Sequence, residues 1–122
     1  MKNLLLILVC VTLGVCGQLL LKHGMSSDPD RVDRASEVLP RLWSAATNPV
    51  ILLGFFAYGV SAALWLIILT RAELSYAYPL LSLGYVAVVF LSRIFFHEAV
   101  TGTRVLGTIV ICVGVYLISR TQ

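Results

Sequence analysis

Residues 50–69 read VILLGFFAYGVSAALWLIIL, a run of 20 residues without a charged side chain. A helix needs about 20 apolar residues to cross the hydrocarbon core of a bilayer, because each residue advances it by only about 1.5 Å. The run therefore predicts a membrane-spanning helix. Asn48-Pro49 before it and Thr70-Arg71 after it are polar or turn-forming, which marks its two ends.

Three further apolar runs predict three more spans: Leu4–Leu21, Leu74–Leu91 and Val105–Ile118. Since 59% of the 122 residues are hydrophobic, the four runs leave no material for a water-soluble domain. We expect an all-α membrane protein with one four-helix transmembrane domain over residues 1–122. The expected spans are about 3–22, 49–70, 74–96 and 103–119, which makes the protein multi-pass and embedded in a lipid bilayer.

The polar connector at residues 23–48 has an amphipathic pattern. Asp28 and Pro29 are favourable residues for a helix start, and Pro40 is expected to divide the segment into two pieces. This pattern indicates an amphipathic segment on the membrane surface with Trp43 at headgroup level, although an ordered connector without function fits it equally well. The apolar residues recur at roughly helical spacing at Val32, Ala35, Leu39, Leu42 and Trp43.

The first apolar run also has a rival interpretation as a cleaved signal peptide. Met1-Lys2 supplies a charged start, and Gly17 is a possible small residue at the cleavage site. The three spans that follow favour a membrane helix instead. Lys and Arg residues near the span ends favour a topology with the first and third loops in the cytoplasm and both termini outside.

Acidic residues are absent from the centres of the four spans. All six lie in loops or at span ends, so the hydrocarbon region lacks the buried carboxylate that a proton-coupled exporter of cations needs. Lys22 and Arg93 lie at span ends on the same predicted side. A basic group at that depth either binds a lipid phosphate or anchors its helix at the headgroups.

Helical spacing gathers the remaining polar side chains into three stripes. Such stripes predict one shared cavity, although aromatic belts at the membrane interface and hydrogen bonds between helices also explain them. Their members are Gly14, Gln18 and Lys22 on the first span, Tyr58, Ser61 and Trp65 on the second, and Tyr78, Ser82, Tyr85, Val89 and Arg93 on the third.

Proline and glycine punctuate the last two spans. Pro79 is expected to bend the third span early, because it frees a backbone carbonyl. Gly107 and Gly114 are seven residues apart on one face of the fourth span, a spacing that lets helices approach closely. We interpret them as a helix-packing or dimer face.

Several of these motifs together resemble a known family. The sequence resembles the small four-helix members of the drug/metabolite transporter superfamily, in particular the undecaprenyl-phosphate-aminoarabinose flippase subunits. More distantly, it is similar to the small multidrug resistance family. The resemblance rests on Gly17-Gln18-Leu19 with Lys22, Leu64-Trp65-Leu66, the run AYPLLSL at 77–83, His97-Glu98, and Gly107 with Gly114.

This resemblance implies the translocation of a polyprenyl-phosphate-linked sugar across the bacterial inner membrane, in support of lipopolysaccharide modification. It also implies a homodimer, or a heterodimer with a similar small subunit. We expect no enzymatic activity, no cofactor, no metal and no nucleic-acid partner. The stripes and the resemblance together give the candidate substrate-binding residues Gln18, Lys22, Trp65, Tyr78, Ser82, Tyr85, Arg93 and Glu98.

Two other functions stay open at this point. Multidrug exporters of the more distant family carry an essential glutamate on their first helix, where this sequence has Gly14, and this difference argues against drug/proton antiport. A small drug or metabolite exporter is nevertheless one alternative. The other is a non-transporting membrane subunit that supports a glycosyltransferase.

Overall fold

A computed structural model describes residues 2–27 and 38–121, apart from the side chain of Lys2. Four of its helical segments are long and apolar enough to cross a membrane, namely Asn3–Ser26, Pro49–Leu69, Leu74–Phe96 and Gly102–Ser119. The prediction of an all-α protein with four spans is confirmed. The described helices are α1 (Lys2–Ser26), α2 (Val38–Thr47), α3 (Pro49–Leu69), α4 (Leu74–Leu81), α5 (Leu83–Phe96) and α6 (Gly102–Ser119).

Helix α1 continues four residues past the end predicted for the first span. Gly24 is buried against Ile51 of α3, and the Ser27 hydroxyl donates a hydrogen bond to the His23 carbonyl at 2.8 Å. A prediction from hydrophobicity misses this last turn, because packing and a hydrogen bond stabilise it. Lys22 therefore lies a full turn inside α1 instead of at its end.

Helix α2 corrects the prediction for Pro40. The helix runs through this proline without a break, because Pro40 lies in the first turn, where backbone N–H groups have no helical acceptor. The exposed apolar side chains of Leu39, Leu42 and Trp43 fit the predicted amphipathic pattern. The predicted start at Asp28 and Pro29 lies outside the described residues, and so does any piece before Val38.

Pro79 interrupts the third span, as predicted. Helix α4 ends at Leu81 and α5 begins at Leu83, with Ser82 at the junction. Proline removes one helical donor and its ring clashes with the preceding turn. The Ser82 N–H donates to the Pro79 carbonyl at 3.0 Å, and the Ser82 hydroxyl donates to the same oxygen. The break therefore places a hydroxyl-bearing junction inside the span.

Helices α1 and α3 cross with their backbones in close contact at two glycines. A Cβ atom added to Gly17 would lie 2.9 Å from the Gly54 carbonyl oxygen and 3.0 Å from the Tyr58 nitrogen. A Cβ on Gly54 would lie 3.0 Å from the Gly17 carbonyl oxygen. Small residues allow such a crossing between membrane helices, and larger ones force the backbones apart.

The glycines of α6 have no comparable neighbour. Within the described residues, nothing lies within 4 Å of a Cβ built on Gly107 or Gly114. The close helix packing expected of them therefore occurs at Gly17 and Gly54 instead. Their role as a face for a second subunit stays a prediction.

An apolar core closes the end of the bundle where α1 begins and α6 ends. At the same end, the Asn3 side chain donates a hydrogen bond to the Arg71 carbonyl at 3.2 Å, which joins α1 to the turn before α4. Dispersion contacts hold this end together, and Cys10 lies at the boundary between this core and the cavity described below. The buried members of the core are Ile7, Cys10, Ile68, Tyr76, Ala77, Leu80 and Val115.

His97 closes helix α5 in a left-handed conformation, with φ 52° and ψ 30°. This conformation costs an L-residue roughly 1–2 kcal/mol, and glycine adopts it freely. We expect His97→Gly to raise the free energy of unfolding by about 0.5–1 kcal/mol, since part of the gain is lost to the greater freedom of the unfolded chain. Denaturant titration in detergent measures the change. His23→Gly, within α1, is the control and should destabilise the protein.

A cavity at mid-depth and a charged cluster beside it

A cavity of about 540 Å³ lies between α1, α3 and the α4–α5 junction. Most of its lining residues lie in the central part of these three spans, so the cavity lies at mid-depth in the bundle. Beyond the apolar side chains Val11, Val15, Ala62 and Leu81, the lining consists of Cys10, Gly14, Gln18, Tyr58, Ser61, Trp65, Tyr78, Ser82, Gly84 and Tyr85.

The three polar stripes read from the sequence meet at this cavity. Five of the eight candidate substrate-binding residues line it, namely Gln18, Trp65, Tyr78, Ser82 and Tyr85. None of its described lining residues carries a charge. The cavity is therefore a neutral compartment of amide, hydroxyl and aromatic groups, which suits a polar uncharged or weakly charged ligand.

Aromatic rings form part of the cavity wall. The rings of Trp65 and Tyr78 meet edge to face, with their centroids 5.8 Å apart and their planes at 71°. This geometry is favourable between aromatic quadrupoles and holds both rings in place. It joins α3 to α4 at the wall of the cavity, which Ser82 also lines.

Ser61 and Cys10 form a polar contact between α1 and α3 that the sequence did not predict. The Ser61 hydroxyl donates to the Cys10 carbonyl at 2.9 Å, and the Cys10 thiol donates to the Ser61 carbonyl at 3.2 Å. Both residues are buried. A Cβ on Gly14 would lie 3.0 Å from the Ser61 hydroxyl oxygen, so a larger side chain at position 14 would displace this contact.

The other three candidate residues form a charged cluster beside the cavity. The Lys22 ammonium pairs with the Glu98 carboxylate and lies 4.8 Å from the centre of the Phe96 ring. The Arg93 guanidinium donates a hydrogen bond to the Glu98 backbone carbonyl at 3.3 Å. The side chains of Lys22 and Glu98 are 44% and 36% exposed, so the pair is open to a competing ligand.

The cluster lies at the end of the bundle opposite the apolar core. Lys22 follows Gln18 by one helical turn on α1, a displacement of about 6 Å along the helix axis. Arg93 follows Tyr85 by eight residues on α5, a displacement of about 12 Å. A ligand with an anionic group joined directly to a polar group therefore has cationic partners in the cluster and neutral partners in the cavity.

A membrane-embedded helical bundle with a neutral polar cavity and a cationic cluster at one end of it defines a membrane carrier. The chain belongs to the EamA-like transporter family, whose model matches residues 8–120. This confirms the resemblance predicted from the sequence.

Within that family, the chain is similar to several proteins named as flippase subunits. A chain from Proteus mirabilis, named a probable 4-amino-4-deoxy-L-arabinose-phosphoundecaprenol flippase subunit ArnF, is 38% identical over 84% of this chain and 80% of its own length. The probable subunit ArnE of the same flippase from Aeromonas hydrophila is 36% identical, over 97% of this chain and 96% of its own. The ArnF relative from Photorhabdus laumondii is 35% identical over the whole of both chains. No solved structure matches the chain.

Besides the contact of Ser61 with Cys10, two further features of the structure were not predicted from the sequence. The ion pair joins Lys22 to Glu98 across 76 positions of sequence, and only the fold brings them together. The glycine crossing of α1 and α3 had a signal, because Gly17 and Gly24 have the seven-residue spacing that drew attention to Gly107 and Gly114. The missing information was which helix each glycine faces.

Proposed function

We propose that this protein translocates a polyprenyl-phosphate-linked sugar across the bacterial inner membrane, as a lipid-linked sugar flippase or a subunit of one. The observation that carries the proposal is the combination of a neutral polar cavity with a cationic cluster whose nearer member, Lys22, lies about one helical turn away. A phosphodiester joined to a sugar has the same division into an anionic and a polar part. The polyprenyl tail stays in the surrounding lipid.

Lys22 and Arg93 receive the phosphate in this proposal. Arginine and lysine bind phosphate through charge-assisted hydrogen bonds, and these are stronger where water is partly excluded. Lys22 pairs with the Glu98 carboxylate, and Arg93 contacts the backbone carbonyl of the same residue, so both cations lie close enough to reach one ligand. By the distribution of Lys and Arg, this end of the bundle faces the cytoplasm.

The sugar enters the cavity among Gln18, Tyr78, Ser82 and Tyr85. The amide and the hydroxyls exchange hydrogen bonds with the sugar hydroxyls, and the Trp65 ring offers an apolar face to the sugar ring. The relatives are named as subunits of a flippase, so we propose that the protein works together with a similar small subunit, either a second copy or a different chain. Gly107 and Gly114 are the proposed contact face.

Translocation in proteoliposomes tests this function. We expect the parent protein, alone or with a similar small subunit, to move a polyprenyl-phosphate sugar faster than protein-free vesicles. Reaction of the sugar with a membrane-impermeant reagent measures the rate. We expect Lys22→Ala to lower it about tenfold or more, since a charge-assisted hydrogen bond contributes about 1.5–3 kcal/mol. Arg93→Ala should act in the same direction.

Arg71→Ala is the matched control, because Arg71 is exposed in the turn at the opposite end of the bundle. It removes the same charge and should leave the rate unchanged. Equal rates for the parent and the Lys22 and Arg93 variants would contradict phosphate binding by the cluster. Proton-dependent uptake of a quaternary ammonium compound, without movement of the lipid-linked sugar, would favour a drug exporter instead.

A further inference from the structure

The proposed function assigns the phosphate to Lys22, but Lys22 is already paired with the carboxylate of Glu98. Lys22 lies on α1, and Glu98 lies in the turn between α5 and α6. The carboxylate therefore stands where an anionic ligand would bind. Both side chains are partly exposed, and ion pairs at such positions are weak enough to be exchanged.

The backbone of Glu98 is held in place by two hydrogen bonds. Its backbone N–H donates to the Ser92 carbonyl at 3.4 Å, and its own carbonyl accepts the Arg93 guanidinium at 3.3 Å. His97 turns the chain sharply just before it. These contacts fix the backbone of Glu98 and leave its side chain free to change partner, so release of Lys22 does not require the turn to unfold.

We infer that Glu98 is an internal counter-anion, which pairs with Lys22 in the empty carrier and is displaced when the phosphate of the cargo takes Lys22. This inference rests on the proposed function and adds a specificity device to it. A lipid without an anionic group has nothing to offer Lys22 in exchange, so the pair stays closed. A phosphate breaks the only ion pair found between α1 and the α5–α6 turn in the described residues.

Whether Glu98→Gln strengthens or weakens phosphate binding distinguishes this role from a merely structural one. If Glu98 competes with the phosphate, Glu98→Gln frees Lys22 and strengthens phosphate binding by about 1.5- to fivefold, the range expected for an exposed ion pair. If Glu98 only supports the site, the same substitution leaves binding equal or weaker. Glu73→Gln is the control, because Glu73 is exposed before α4 and its side chain makes no capping hydrogen bond.

The experiment is a calorimetric titration of polyprenyl monophosphate into the protein in phosphatidylcholine nanodiscs. Glu98→Asp keeps the charge but shortens the side chain, and it should give a smaller gain in the same direction, so the test survives if Glu98→Gln folds poorly. Inorganic phosphate forms a second arm, and polyprenol without phosphate a third. The gain should occur with both phosphates if the phosphate alone displaces Glu98, and a gain with polyprenol would overturn the inference.

A double-substitution cycle tests whether Glu98 acts through Lys22. General repulsion between Glu98 and a phosphate would persist in a Lys22→Gln background, whereas competition for Lys22 would disappear there. We expect Glu98→Gln to have no effect on binding in that background, and a full gain would overturn the inference. If the parent does not bind polyprenyl monophosphate at all, the proposed function fails as well. If the parent binds it and Glu98→Gln gives no gain, only the role of Glu98 fails.

Discussion

Replacing Gly17 with alanine is expected to lower the free energy of unfolding by about 1–3 kcal/mol, the usual cost of overpacking a tight contact. The new Cβ would meet the Gly54 carbonyl oxygen at 2.9 Å and the Tyr58 nitrogen at 3.0 Å. Both are backbone atoms, so no side-chain rotation relieves the contact and the two helices must separate. Titration of the unfolding transition with dodecyl sulfate in mixed micelles measures the loss.

The control for this prediction lies on the partner helix. No described residue places an atom within 4 Å of a Cβ built on Gly59, so Gly59→Ala should leave stability equal or raise it slightly through helix propensity. Gly54→Ala should destabilise as Gly17→Ala does. The double substitution should cost less than the sum of the two, because one separation of the helices relieves both overlaps. Equal stability of the Gly17 and Gly59 variants would show that the crossing of α1 and α3 is looser than the structure has it.

Filling the cavity without changing any charge is expected to slow transport by about tenfold or more while the protein stays folded. Ala62 lines the cavity from α3, and Ala62→Phe places a phenyl ring in the volume of about 540 Å³ proposed for the sugar. We expect translocation of a polyprenyl-phosphate sugar to fall by about tenfold or more, which requires a loss of only about 1.4 kcal/mol of headgroup binding free energy. Proteoliposome assays measure the rate.

Ala63→Phe provides the matched control. Ala63 is the next residue of α3 and is exposed, but it is not among the residues that line the cavity. The same side chain there faces away from the cavity and should leave the transport rate and the unfolding transition unchanged. If both phenylalanine variants transport at the parent rate, the sugar does not occupy this cavity.

Much of the fold was predictable because the bilayer constrains it so strongly. A run such as Val50–Leu69 has few options other than a membrane helix, since every backbone polar group must be satisfied within the segment. Pro79 predicted the interruption between α4 and α5 for a similarly local reason. The end predicted for the first span was four residues too early, because Gly24 and Ser27 stabilise the last turn of α1 through packing and a hydrogen bond and not through hydrophobicity.

In the candidate site too, local features were predicted from the sequence and contacts between helices were not. The stripes that contain Gln18, Trp65 and Ser82 follow from helical periodicity, and periodicity is a local property that a sequence displays directly. The pairing of Lys22 with Glu98 is different, because it depends on how α1 and the α5–α6 turn approach each other. The sequence marked both residues as candidates but gave no indication that they neutralise one another.

The sequence by itself determined the class of protein, the number of spans and the absence of acidic residues from their centres, because hydrophobicity and charge act residue by residue. Only the tertiary structure decided which glycines form a contact and which stay open, and that the carboxylate of Glu98 already holds Lys22. The physical reason is that helix rotation and crossing are set by the packing of side chains from different spans. No single span contains that information.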